Sequence, residues 1–425
     1  MKDLRFLNQI CEDDVLEFEK EKDGVEMFEK AIEHYSTPEN WESVPVKDLY
    51  AVAWEESDQM NGQMELSQDG SIHGEVDSTR KLLEDTYTQA DLRTIAKINR
   101  SFFLAKKGEN NLRPVSPTGL TSWAYRAGWG NCPNILGVNS KNRGAFPSNK
   151  RAEWLTQGSL NSKEIATLYT PDGCVRYVGS DKYVPLPAKE GYDVYKSFLN
   201  TEYPMSEYRH GFISHDLFGC DFFLNDEIEE DSFGLQLSDL LGEEVKTKFL
   251  LRFTTGNTGD SVMKVQLVLQ LLFVTSERTE VFPVGKPEEI WHLTSRPHLI
   301  KGPHKDANPT FEEKIPRTVE GIKDAEQKVE RLGNIRINHL KGTMYYWWIT
   351  NVSKQAGKTA RENAEDFANT NPKTFIDLFL YLMDKTGRID TGSKPTEIVD
   401  WLDKVAKLLW EEDLSRYDKE IPPEE

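Results

Sequence analysis

The chain has 425 residues, of which 71 are acidic and 52 basic, for a formal charge of −19. It therefore repels nucleic acid at long range, and any such binding needs a local basic face. Hydrophobic residues make up 38%, enough for a sizeable core in two or three domains, which excludes a wholly disordered chain.

Residues 1–35 read as helical and acidic, with Phe28, Ile32 and Tyr35 recurring at helical spacing. Thr37-Pro38 stops that helix. Residues 57–78 are polar and read as loop or short hairpin. Thr88 and Asp91 resemble a capping box ahead of a helix carrying Leu92, Ile95 and Phe103. Pro114 and Pro117 close this part. Further on, 165–170, then Pro171-Asp172-Gly173, then 175–178 read as a hairpin. A short helix with Tyr192, Tyr195 and Phe198 follows, and the acidic run 226–231 reads as a solvated loop.

The clearest pattern spans 245–274. Val245, Thr247, Phe249, Leu251 and Phe253 share one parity, as do Met263, Val265, Leu267, Leu269, Leu271 and Phe273. Two long antiparallel strands are predicted, paired odd with odd. Lys246, Lys248, Arg252, Lys264, Gln266 and Gln270 then share the opposite face. From about 310 the chain turns helical, over 312–332, 374–385 and 396–411, and 421–425 reads as a frayed tail. The expected class is α+β, with a central antiparallel sheet between helical N-terminal and C-terminal regions. Boundaries are expected at 1–114, 115–305 and 306–425.

Four cysteines, Cys11, Cys132, Cys174 and Cys220, are far apart and form no CxxC, which excludes a zinc ribbon and predicts free thiols. The first residues carry no apolar signal-peptide core, and no apolar stretch approaches ~20 residues, so a cytoplasmic protein without a membrane span is expected.

Several motifs suggest chemistry. Gly357-Lys358-Thr359 looks like the end of a phosphate loop, but Val352 stands where the first glycine belongs, and Lys358 at an exposed helix start is the favoured reading. Gly259-Asp260-Ser261 resembles an esterase nucleophile block, yet no histidine has an aspartate three residues before it, so a turn explains it equally well. His292, His298 and His304, with Asp306, offer a possible metal loop without a known ligand pattern. Tyr345, Tyr346, Trp347 and Trp348 lie among Arg336, His339, Lys341, Lys354 and Lys358. Such interleaving can stack bases, although four successive aromatics are more often core.

Blocks between about 115 and 355 resemble the phage/plasmid-like proteins, a domain family of unknown function from phages and plasmids. The best is 175–187, VRYVGSDKYVPLP, followed by the helix to Leu199. The block 120–136 is similar to an upstream helix, and 256–269 to an Asn-Ser-x-x-Gly strand block, although this chain reads Gly-Asn-Thr-Gly-Asp-Ser. His304 before a long helix and 343–351, TMYYWWITN, fit later positions. The resemblance implies a mobile-element origin and brings no catalytic residues.

The leading expectation is a phage- or plasmid-type accessory protein binding single-stranded DNA or RNA through Lys246, Lys248, Arg252, Lys264 and Gln266 on an open sheet face. The first alternative is an interaction or structural protein, a host-factor binder or virion component, with phage or host proteins as partners. The second is a metal-dependent enzyme using the His292/His298/His304 loop. No cofactor, no metal and no catalytic residue is expected.

Overall fold

The structure, a computed structural model, describes residues 15–20, 23–53, 87–88, 92, 102–109, 111–130, 148–183, 185, 188–214, 217–225, 232–258, 262–284, 287–291, 310–352, 357–386 and 395–421. In chain order, β1 (Leu16–Glu19) is followed by α1 (Gly24–Ser36), then β2 (Trp41–Pro45), β3 (Leu49–Ala53), β4 (Phe102–Lys106) and β5 (Leu112–Pro114). Next come α2 (Pro117–Arg126), α3 (Ser148–Asn161), β6 (Ile165–Tyr169), β7 (Tyr177–Ser180) and α4 (Ala188–Glu202). The central part holds β8 (Glu207–Ile213), β9 (Phe218–Phe223), α5 (Ser232–Leu241), β10 (Val245–Thr255), β11 (Val262–Phe273), β12 (Arg278–Pro283) and β13 (Glu288–Trp291). Among the described residues six helices follow: α6 (Phe311–Glu320), α7 (Ile322–Asn334), α8 (Leu340–Asn351), α9 (Gly357–Asn369), α10 (Phe375–Thr386) and α11 (Pro395–Trp410).

The α+β class and the central antiparallel sheet are present. That sheet has the order β1-β8-β9-β10-β11-β12, with β13 also on β11. Two three-stranded sheets, β2-β6-β7 and β3-β4-β5, stand beside it. The register of β10 with β11 sets Phe249 opposite Leu269 and Phe253 opposite Val265, odd with odd. Its odd face packs on helices. Phe253 stacks on Tyr195 of α4 at 5.4 Å and meets the edge of Phe311 of α6 at 6.0 Å. Burying each such ring contributes about 1.5–3 kcal/mol.

α1 forms where its spacing predicts and buries Phe28, Ala31, Ile32 and Tyr35 in this core. Gly24 opens it because a Cβ there would lie 2.2 Å from the Glu19 carbonyl oxygen. The β6–β7 hairpin also forms as expected, turning through Asp172 in the left-handed region at φ 56°. Two local expectations change. Phe103 lies in β4 and not on a helix, because neighbouring strands offered it a ladder that the capping signal at Thr88 could not foretell. Among the described residues, the part before residue 115 supplies five short strands besides α1.

The packing does not follow the expected division at 114 and 305. One core joins Phe18 and Phe28 to Leu251 and Leu267 and on to Phe311, Leu378 and Val405. A second core combines Leu49 and Phe102 with Trp123, Leu155, Leu168 and Val175. Within it Trp123 Nε1 donates to Ser159 Oγ at 3.0 Å, which satisfies the buried indole. No helix among the described residues is long and apolar enough to cross a membrane.

Candidate functional site

Even-numbered residues of β10 and β11 carry the polar side of the central strand pair. At the end where β10 begins, Lys246 and Lys248 are exposed, and Lys248 Nζ lies 5.1 Å from the centre of the Phe223 ring. Six residues further along β10 the picture reverses. Arg252 Nε donates to Asp221 Oδ1 at 2.7 Å, and its Nη2 donates to Oδ2 at 2.8 Å. The two residues face each other across the β10–β9 register, so the sheet itself presets this two-point contact. Arg209 Nη1 adds a second cation 3.5 Å from Asp221, while its Nε donates to Gln270 Oε1 at 3.2 Å.

On β11, Lys264 Nζ bonds Asp403 Oδ2 of α11 at 2.7 Å. Glu289 of β13 stands opposite Lys264. Lys314 of α6 donates to the Glu289 carbonyl oxygen at 2.7 Å and lies 3.5 Å from Glu288. Gln266, opposite Arg252, is 1% exposed, and Leu250 and Val268 on the same parity are fully buried. This stretch is covered on both faces despite its alternating sequence.

Burial is the largest single influence on each of these groups, though not always the winning one. It pushes the Asp221 carboxyl up, but the Arg252 charge and hydrogen bonds outweigh it and hold the group below its ordinary value. Burial likewise lowers the Arg252 guanidinium, and Asp221 more than restores it. Glu289 stays raised, first by burial, with Lys264 opposing and Asp403 adding to it. Burial also lowers His210 against the pull of Asp221. Arg209, Arg252, Lys264 and Lys314 thus meet Asp221, Asp403, Glu288 and Glu289, so the network shows no excess of positive charge.

The expected open basic face is therefore corrected. Lys264 and Gln266 are enclosed, Arg252 is largely covered and paired with Asp221, and Lys246 and Lys248 are the expected residues that stand fully exposed. The missed signals were the partners. Asp221 and Asp403 lie 31 and 139 residues from the cations they bind, and no local pattern links them.

The other motifs fare as follows. The run before Gly357-Lys358-Thr359 is helix α8, whereas a phosphate loop follows a strand, and Lys358 is 92% exposed. Trp347 is fully buried against Trp401, and Tyr345 lies beneath Arg361 at 5.4 Å. Lys341 pairs with Glu365. The aromatic segment therefore serves largely as core. Gly259-Asp260-Ser261, Lys354, His292, His298, His304, Asp306, the run 226–231, Cys11 and Cys132 lie outside the described residues. Among those described, Cys174 and Cys220 are buried thiols outside any disulfide, and no three His, Cys, Asp or Glu side chains gather around a possible metal position.

A second polar cluster joins the two cores. His34 Nε2 is 2.6 Å from Asp172 Oδ1, and Arg176 Nη2 is 3.6 Å from the other Asp172 oxygen. Arg176 is 1% exposed and lies over the Tyr35 ring at 5.0 Å. Asn257 Nδ2 donates to the Tyr35 carbonyl oxygen at 2.7 Å, as does the Tyr169 hydroxyl at 2.8 Å. This cluster ties α1 to the β6–β7 turn.

Compared with family models, with curated proteins and with solved structures, the chain matches none.

Proposed function

We propose that the protein is a non-catalytic interaction protein, an accessory factor of a phage or plasmid that works in the host cytoplasm and binds another protein. The observation that carries this reading is the closure of the polar strand face. Its cations are consumed by carboxylates, so it has neither a free positive field for phosphates nor a free acid or base open to a substrate. The resemblance of 175–187 to phage/plasmid-like proteins supports the mobile-element setting.

Besides Tyr125 and Ile165, which lie elsewhere, three exposed apolar side chains favour protein contact. Met205 is 69% and Leu235 65% exposed, and Leu272 37%. Leu272 stands opposite Lys246. Leu235 lies on α5, whose Ser238 bonds the backbone of Val245 at 2.8 Å. Met205 precedes β8 and accepts from Asn225, just past β9. All three belong to the same end of the central sheet, beside Lys246 and Lys248, which suits a partner with an acidic rim around an apolar patch.

The test compares wild type with a Leu235→Asp, Leu272→Asp, Lys246→Glu triple variant of unchanged melting temperature. Defined host proteins recovered by wild type should be lost from the variant. An identical set from both would overturn the reading. A second reading, single-stranded nucleic acid bound by Lys246 and Lys248, is favoured by their exposure at neighbouring outward positions. Two phosphate contacts predict a slope of about −1.4 in log K against log salt.

A further inference from the structure

Residues 411–421 leave the end of α11 and strap across α8, using contacts of the kind that recognise peptides. Tyr417 is 1% exposed in the main core. Its hydroxyl donates to Glu411 Oε2 at 2.7 Å and accepts from Asn351 Nδ2 at 3.2 Å. The next side chain, Asp418, takes the first turn of α8. Its Oδ1 accepts from the His339 backbone N–H at 2.6 Å and the Thr343 hydroxyl at 3.3 Å, and its Oδ2 from Asn338 Nδ2 at 2.8 Å. The Asn338 backbone N–H reaches both oxygens at 3.1 Å. His339 itself supplies no side-chain cap to α8, and Asp418 holds the two backbone N–H groups just ahead of the helix, those of Asn338 and His339.

The strap also needs a bare backbone beneath it. A Cβ at Gly342 would lie 1.5 Å from the Lys419 carbonyl oxygen, so the backbone that follows the 3-10 turn of 414–416 rests directly on the helix. Beyond it, the Tyr346 hydroxyl donates to the Glu420 carbonyl oxygen at 3.3 Å. Tyr417 thus reaches Asn351 at the C-terminal end of α8, Asp418 holds the N-terminal end, and the Lys419 backbone lies on Gly342.

We propose that this face of α8 is a recognition groove for a short turn-forming segment with a tyrosine followed by an aspartate, filled here in cis and open to the same sequence chemistry on a partner protein when the strap lifts. This rests on the reading of the chain as an interaction protein and names a partner chemistry for it. The cis strap competes at an effective concentration of about millimolar, so a partner gains the groove only where the strap is weakened or outcompeted.

The probe is a fluorescent peptide of residues 411–421, titrated into full-length protein. Asp418→Ala should bind it at least tenfold more tightly than wild type. Adding Gly342→Ala should abolish that binding, as should replacing the aspartate of the peptide by alanine. No binding to Asp418→Ala, or equal binding of the two peptides, overturns the groove while leaving the sheet-end contact to its own test. Amide exchange on wild type decides the matter if Asp418→Ala fails to fold. Residues 414–421 should exchange at least tenfold faster than Met344 to Trp347, and equal protection would mean that the strap never lifts.

Discussion

The two ends of one strand pair carry the same alternation of polar and apolar residues and meet opposite fates. Lys246 and Lys248 stand in water, whereas Arg252 and Lys264, on the same parity, are drawn in and paired with carboxylates. The difference arises outside the strands. β9 presents Asp221 at the level of Arg252, and α11 presents Asp403 at the level of Lys264, but near Lys246 the opposite residue is the exposed Leu272. Alternation fixes which side a residue faces; whether that side is wet depends on chain that is distant in sequence.

Substitution at the closed end should give the largest effect. Asp221→Ala leaves Arg252 buried without its partner and should cost about 3–5 kcal/mol, read as a fall in the urea midpoint. A loss below ~1 kcal/mol would mean that water reaches this site. Lys264→Met strands the Asp403 carboxylate, one of whose oxygens already lacks a hydrogen bond. It should cost about 1–3 kcal/mol, and adding Asp403→Leu should return part of that loss in a double-mutant cycle.

A pH titration separates these sites from the surface. Burial raises the Asp418 carboxyl, but the Asn338 and His339 backbone N–H groups outweigh it, so the group sits below its ordinary value, as does Asp221. A carboxyl lowered on folding contributes stability that is fully present above the unfolded value of about 3.9 and is lost as pH falls through the folded value. Asp418→Asn should therefore flatten the acid limb of the stability curve, and an unchanged limb would remove Asp418 from the account. The smallest effect is expected at the open end. Lys246→Glu with Lys248→Glu should change stability by less than ~0.5 kcal/mol, measured in the same urea titration.

Much of the scaffold was legible from local pattern. The odd parity of β10 and β11, the stripe on α1 and the Pro171-Asp172-Gly173 turn each depend on neighbours in sequence, and each appears as read. The polar face was legible as a face but not as a closed one, because its covering carboxylates come from β9 and α11. The aromatic run 345–348 was ambiguous for the same reason. Trp347 became core only because Trp401, far along the chain, packs against its edge. Asp418 was invisible, since a cap supplied from the strap leaves no signal next to α8.

Lysine accessibility tests the closure of the strand face most directly. Brief acetylation of the native protein, read by mass spectrometry, should modify Lys246 and Lys248 at the rate of free surface lysines and leave Lys264 largely unmodified until the protein unfolds. Labelling of Lys264 as fast as Lys246 in the folded protein would contradict the closed face and return all the strand cations to solvent.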